Sequence, residues 1–205
     1  MQNTILISSQ NPGKIDEITA ILTSVKLKKI TPQDIALTIH PKETGRSYAE
    51  NARIKAIAYR DASGLPALAD DSGLEVDVLG GAPGIFSARF SKKPNATDLD
   101  RRAYLLEILK DFPQPWNAHF HCTAILATPD NTFIETTGRC DGVIIPDECG
   151  SGGFGYDPIF FIPERQATMA ELPQEIKNNI SHRAQALIGM IPFLRVFTTY
   201  SDESL

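Results

Sequence analysis

The chain is 205 residues long, 42% hydrophobic and 22% charged, with a formal net charge of −5 at pH 7. That length suits one domain, or two closely joined lobes, with a sizeable core. The acidic balance argues against non-specific nucleic-acid binding and against attraction to an acidic membrane surface, but leaves open a phosphorylated small molecule held by a local cluster of Lys and Arg.

Three widely spaced cysteines, Cys122, Cys140 and Cys149, match neither a disulfide framework nor a zinc pattern, so reduced thiols in a cytoplasmic protein are expected. No signal-peptide pattern is read at the N-terminus. No run approaches the ~20 apolar residues of a membrane span.

Thr4 to Ser8 reads as a first strand, Ser9-Gln10-Asn11-Pro12-Gly13 as a loop, and Lys14 to Leu22 as an amphipathic helix with Ile15, Ile18, Ile21 and Leu22 on one side. A strand, a polar loop and a helix with Lys14 in its first turn form the geometry of an anion site, because free N–H groups and the helix dipole face the ligand. It is not a Walker A loop, since the earlier glycine is missing and Ile15 stands where Ser or Thr is needed. Many such turns bind nothing. A short strand near Leu27 to Ile30 leads into a loop carrying Glu43, which reads by itself as a solvated acid. Ser47 and Glu50 form a capping box, opening a helix that Gly64 and Pro66 stop near Ser63.

The stretch Leu68-Ala69-Asp70-Asp71-Ser72-Gly73-Leu74 reads as a buried strand that delivers two carboxylates to an edge and then turns. Adjacent strand residues face opposite ways, so only one of Asp70 and Asp71 can serve a given site. The other must bond backbone or meet water. Two acids there need positive compensation, from a metal or a cationic group on a ligand. Asp-Asp-Ser-Gly is also ordinary turn chemistry. Leu74 to Leu79 alternates as a second strand with Glu75 and Asp77 solvated, and the Gly80–Gly84 segment leads to Ser87 and Arg89. Thr97 caps a helix to about Lys110, with Leu99, Ala103, Leu106 and Leu109 as its buried side. Two long strands, 117–127 and 132–145, are joined by a Pro129-Asp130-Asn131 turn. His119 and His121 lack a third ligand at useful spacing and read as an exposed polar face.

Gly150 to Pro158 is a glycine-rich loop carrying Phe154 and Tyr156. Backbone without side chains can approach a flat ligand closely, and an exposed ring can stack on it. Disordered connectors avoid aromatics, which counts against a plain linker. Ser181 caps a last helix, with His182 and Arg183 in its first turn, where cations oppose the dipole unless an anion lies near. Residues from about 199 to 205 read as a loose tail.

Taken in order, several segments resemble one family. They are Ser9-x-Asn11-x-x-Lys14-x-x-Glu17, Glu43-Thr44-Gly45, Glu50-Asn51-Ala52, Ala69 to Leu74, Gly80 to Gly84 with Ser87-Ala88-Arg89, Gly152 to Pro158, and Ser181-His182-Arg183. The set is similar to the non-canonical purine nucleoside triphosphate pyrophosphatases, the Ham1 or inosine triphosphatase family, over about residues 4 to 195.

The resemblance implies an α/β fold: a single domain over 1–205, with a long mixed sheet flanked by helices and two lobes with a cleft between them. It implies magnesium-dependent hydrolysis of dITP, ITP and XTP to the monophosphate and pyrophosphate, a homodimer, and no nucleic-acid or membrane partner. It carries Glu43 and Asp71 over as metal ligands and Asp71 as general base, with Glu17 and Asp70 as supports. It also carries over Ser9, Gln10, Asn11, Pro12, Gly13, Lys14, Ser72, Phe154, Gly155, Tyr156, Asp157, Lys177, His182 and Arg183 as substrate contacts, Phe154 stacking on the purine. Gln10 departs from the small residue that many members have there. A related family acting on pyrimidine nucleotides, and a nucleotide sensor without turnover, are the competing readings.

Overall fold

The computed structural model describes residues 3–199, so residues 200–205 of the expected tail lie outside the described residues. Strands β1 (Thr4–Ile7), β2 (Lys28–Ile30), β3 (Ala67–Val76), β4 (Trp116–Ala127), β5 (Phe133–Ile144), β6 (Phe160–Ile162) and β7 (Ala167–Thr168) form a mixed sheet in the order β2-β1-β3-β4-β5-β6-β7. β1 runs parallel to β2 and to β3, with Leu6 opposite Ala67 and Ile7 opposite Leu68. β6 is antiparallel to β5 and β7. The helices are α1 (Pro12–Ile21), α2 (Tyr48–Ser63), α3 (Asp98–Leu109), α4 (Gln174–Ile180) and α5 (His182–Thr199). No described helix is long and apolar enough to cross a membrane. The chain divides into two compact units. The first comprises residues up to Asp71, Cys122–Gly138 and the chain from His182 onward; the second comprises Ser72–His121 and Arg139–Ser181.

In the first unit the period-two alternation of β3 sets everything that follows. Leu68 packs with Ile18 and Leu22 of the α1 side and with Leu187 and Met190 of α5. Its neighbours point the other way, Ala67 against Tyr59 and Ala69 against Ala52 and Ala56, all on α2. Asp70 therefore continues the α1/α5 face and Asp71 the α2 face.

The expected turn at Ser72-Gly73 does not form. β3 continues unbroken through Asp70, Asp71, Ser72 and Gly73 to Val76. The neighbouring strand β4 is twelve residues long, and ladder pairing along a long neighbour outweighs the weak local turn preference of Asp-Ser-Gly. The strand ends earlier than expected at the other side, because Asp77–Leu79 is a 3-10 turn closed by Gly80 at φ 63°.

The second unit has its own core, in which Leu74 and Val76 pack with Leu105 and Leu109 of α3, Trp116 and Phe120 of β4, and Phe160 of β6. Leu99 and Ala103, expected on the buried side of α3, are exposed; its buried residues are Leu105 and Leu109. Glu75 is not solvated either, since the His119 Nε2 atom lies 3.1 Å from its Oε2. His119 is accordingly largely buried rather than part of an exposed face.

Candidate active site

The loop before α1 is organised by its own side chains. Ser9 Oγ accepts the Asn11 N–H at 3.2 Å, and Asn11, the N-cap, accepts the Lys14 N–H on Oδ1 at 3.2 Å. Pro12 occupies the first helical turn, where its missing N–H costs nothing. Gln10 donates from Nε2 to the Ile39 carbonyl at 3.0 Å, and Tyr59 donates its hydroxyl to the same oxygen at 3.3 Å. The side chain that departs from the family pattern thus ties this loop to the segment leading into Glu43.

Asp70 and Asp71 sit on opposite faces of β3 with different partners. Asp70 Oδ2 accepts from Lys14 Nζ at 2.9 Å and from Arg183 Nε at 3.2 Å, and Arg183 Nη1 also donates to Glu17. Arg183 is 1% exposed and Asp70 3%. The carboxylate expected to bond backbone or water is instead buried between two cations. Burial alone would raise the Asp70 carboxyl, but Lys14 and Arg183 outweigh it and hold the group well below the usual carboxylate range.

On the other face, Asp71 Oδ2 accepts from Asn51 Nδ2 at 3.2 Å and Oδ1 accepts from Lys55 Nζ at 3.2 Å. Lys55 also reaches Glu43 Oε1 at 2.9 Å. Here burial wins: it pushes the Asp71 carboxyl up, helped by the nearby Glu43 charge and opposed by Lys55 and Lys14. Asn51 uses its other amide end as well, accepting the Gly45 N–H on Oδ1 at 2.9 Å. That bond brings the Glu43 loop onto α2. Position 45 must be glycine, because any Cβ there would sit 2.7 Å from Asn51 Oδ1. Ser47 caps α2 as expected, accepting the Glu50 N–H at 3.1 Å, but Glu50 reaches back to the Arg46 N–H rather than to Ser47.

Two carboxylates that share one ammonium mark a place that stabilises a cation. No group of three or more His, Cys, Asp or Glu side chains suited to a metal occurs among the described residues. A metal held here would have Glu43 and Asp71 as two hard oxygen donors, and its remaining ligands would be water and phosphate oxygens. Magnesium accepts that donor set, since it usually keeps several waters and takes one or two carboxylates plus substrate phosphate.

In the second unit the glycine-rich loop is held from below. Asp157 Oδ2 accepts the Phe154 N–H at 3.0 Å and pairs with Lys177 Nζ at 2.6 Å, both side chains being buried. The Lys177 ammonium lies 5.2 Å from the centre of the Phe154 ring. A Cβ at Gly153, where φ is +70°, would lie 2.0 Å from Asp157 Oδ2, so only glycine lets the loop close over this pair. Phe154 is half-buried, whereas Tyr156 is buried and donates its hydroxyl to the Ser87 carbonyl at 3.0 Å. Tyr156 is thus not the exposed aromatic its glycine-rich surroundings suggest.

The Ham1 family profile matches residues 5–193. The chain belongs to the Ham1 family. A protein of Geobacter sulfurreducens named dITP/XTP pyrophosphatase is 44% identical over 184 residues, covering 89% of this chain and 92% of that protein. One of Escherichia coli K12 with the same name is 43% identical, covering 93% and 98%. A solved Ham1 protein of Coxiella burnetii superposes with a TM-score of 0.82 at 39% identity, covering 97% of this chain and 98% of that one.

Among the residues carried over from the Ham1 family, Lys14, Glu17, Glu43, Asp70, Asp71 and Arg183 belong to linked clusters in the first unit, and Phe154, Gly155, Asp157 and Lys177 to one in the second. Glu17 pairs with Arg183, and Asp70 with both Lys14 and Arg183. Ser72 follows Asp71 on β3 and is half-buried, and His182 is buried at the start of α5. Sequence reading passed over Lys55, and gave Asn51 no role. Their i, i+4 spacing on α2 was the available signal, because it places both side chains on one helical face.

Proposed function

We propose that this chain hydrolyses deaminated purine nucleoside triphosphates, dITP, ITP and XTP, to the monophosphate and pyrophosphate with magnesium, in the cytoplasm and as a homodimer. Membership of the Ham1 family and the names of its relatives support the substrate class. The observation that carries the chemistry is the convergence of Glu43 Oε1 and Asp71 Oδ1 on the single Lys55 ammonium.

The reaction is attack of water on the α-phosphorus with pyrophosphate leaving. Its demands are positioning and neutralisation of charge. Glu43 and Asp71 would hold magnesium, which when bound lowers the pKa of water and neutralises phosphate oxygens. Asp71 accepts the proton of the attacking water. Asn51 Nδ2, 3.2 Å from Asp71 Oδ2, fixes the orientation of that carboxylate. Lys14 and Lys55 supply positive charge toward the triphosphate, and the positive end of the α1 dipole favours it. Phe154 stacks on the purine. Rejection of adenine follows if a donor that pairs with the 6-keto oxygen is left unpaired by an amine.

The test is pyrophosphate release from dITP and dGTP, each with magnesium and with EDTA. Fast, magnesium-dependent release from dITP and little from dGTP is expected. Equal release from both removes the purine discrimination, and none from either removes the enzyme. Sedimentation velocity at micromolar concentration tests the dimer, a monomeric mass refuting it.

A further inference from the structure

The backbone N–H and C=O of Gly155 are both held by side chains of α3. Asp98 Oδ2, in the first turn of that helix, accepts the Gly155 N–H at 2.8 Å. One turn later Arg102 donates from Nη1 to the Gly155 carbonyl at 2.8 Å. Arg102 is itself fixed as a fork, since Nε and Nη2 donate to the two carboxylate oxygens of Glu148, each at 2.8 Å. Its side chain is only 11% exposed. The i, i+4 spacing of Asp98 and Arg102 sets donor and acceptor on one face of α3, matched to the backbone N–H and C=O of a single residue and so to the two peptide units that flank it.

Gly155 directly follows Phe154; its φ is +62° and the space at its Cβ position is open, so nothing packs on this residue itself. Hydrogen bonds hold it instead. The Asp98 carboxyl is consistent with such a grip: burial raises it, yet the Gly155 N–H and Arg101 outweigh burial and hold it low.

We propose that Arg102 and Asp98, with Glu148 behind Arg102, are positioning residues that fix the backbone on both sides of the Gly155 Cα and so set the ring of Phe154 for the purine base. The inference rests on the reading of Phe154 as the stacking residue and goes beyond it, because it assigns base affinity to side chains that touch no substrate. A planar fork fits this task and an ammonium does not: Lys at position 102 cannot bond both Glu148 oxygens and the Gly155 carbonyl together.

The test compares the unmodified enzyme with Arg102→Lys, Arg102→Ala and Phe154→Ala. KM and kcat are measured for dITP, together with the inhibition constant of inorganic tripolyphosphate, which has no base to stack. Loosening the loop is expected to raise KM for dITP about ten-fold in both Arg102 variants, the scale of one lost charge-assisted hydrogen bond. That rise should not exceed the one in Phe154→Ala. The fall in kcat should be smaller than the rise in KM, and the tripolyphosphate constant should hold. A merely structural role would move tripolyphosphate inhibition and dITP affinity together, and that result overturns the proposal, as does an unchanged KM in both Arg102 variants. If Arg102→Ala fails to fold, Arg102→Lys and Glu148→Gln carry the same comparison. If Phe154→Ala leaves KM unaltered, the stacking assignment itself falls, and an unmodified enzyme that does not turn over dITP refutes the function rather than the clamp.

Discussion

Asp70→Asn is the sharpest probe of the buried charge network. The substitution keeps shape and removes one charge. Lys14, Arg183, Asp70 and Glu17 together are formally neutral, and the variant leaves them with an excess positive charge in the same buried surroundings. Asp70 Oδ1 has no hydrogen-bond partner among the described residues, so the new amide nitrogen can take that position while the oxygen still faces both cations. Lys14 has a side chain 16% exposed and can turn to water, so its share of the loss is small, about 1 kcal/mol. Arg183, 1% exposed, has no such escape, so it loses a charge-assisted bond worth about 1.5–3 kcal/mol. Together these predict a loss of about 3 kcal/mol, near the lower bound for breaking a buried ion pair.

Urea unfolding at pH 7 reads this as a fall in midpoint of about 1–2 M at unchanged slope. The pH dependence gives an independent check. A carboxyl depressed by folding stabilises the protein above its unfolded pKa, about 3.9, and gives up that contribution as pH falls through the folded value. The gap between the two proteins should therefore hold from pH 7 to about pH 5 and shrink below about pH 4. A loss under about 0.5 kcal/mol at pH 7, or a gap of the same size at pH 3, would refute the network as described.

Asp71→Asn should lower kcat for dITP by about 10²–10⁴-fold with a much smaller effect on substrate binding, since a base acts in the transition state; turnover near that of the unmodified protein would remove Asp71 from that role. Gly153→Ala should destabilise by about 3 kcal/mol or more, combining a left-handed backbone with displacement of the Asp157–Lys177 pair, and thermal unfolding should drop by about 6–12 °C. Gly155→Ala, with open space at its Cβ position, should drop by much less, and equal losses would contradict the packing beneath residue 153. Iodoacetamide on the native protein at pH 8, read by mass spectrometry, should modify the half-buried Cys149 well ahead of Cys122 and Cys140, whose thiols burial pushes up to about 12. Early labelling of Cys122 would refute its burial beside Asp70.

Much of the architecture is written in short-range pattern. The apolar runs of β1, β4 and β5, the spacing of Ile15 and Ile18 on α1, and the caps at Ser47 and Thr97 lie within a few residues of what they control, so local chemistry suffices to place them. The motif order from Ser9 to Arg183 likewise identifies the family, because each motif is a short string read without knowing its partners. Where expectation failed, a distant segment intervened. Ser72-Gly73 has the composition of a turn, yet β4, more than forty residues further on, extends the strand. Leu99 has the right type for the core but lies in the first turn of α3, ahead of Leu105 and Leu109, which the helix buries.

The sequence by itself therefore determines the elements, the family and the acids and cations available for chemistry. Only the tertiary structure decides their pairing. Asp70 and Asp71 are adjacent and chemically identical, and alternation alone says that they diverge. Which one becomes a structural anion depends on Arg183, 113 residues away, and which one keeps a raised carboxyl beside Glu43 depends on α2 supplying Asn51 and Lys55. Charge and burial act through space, so two like residues acquire opposite titration behaviour from neighbours that no local pattern names.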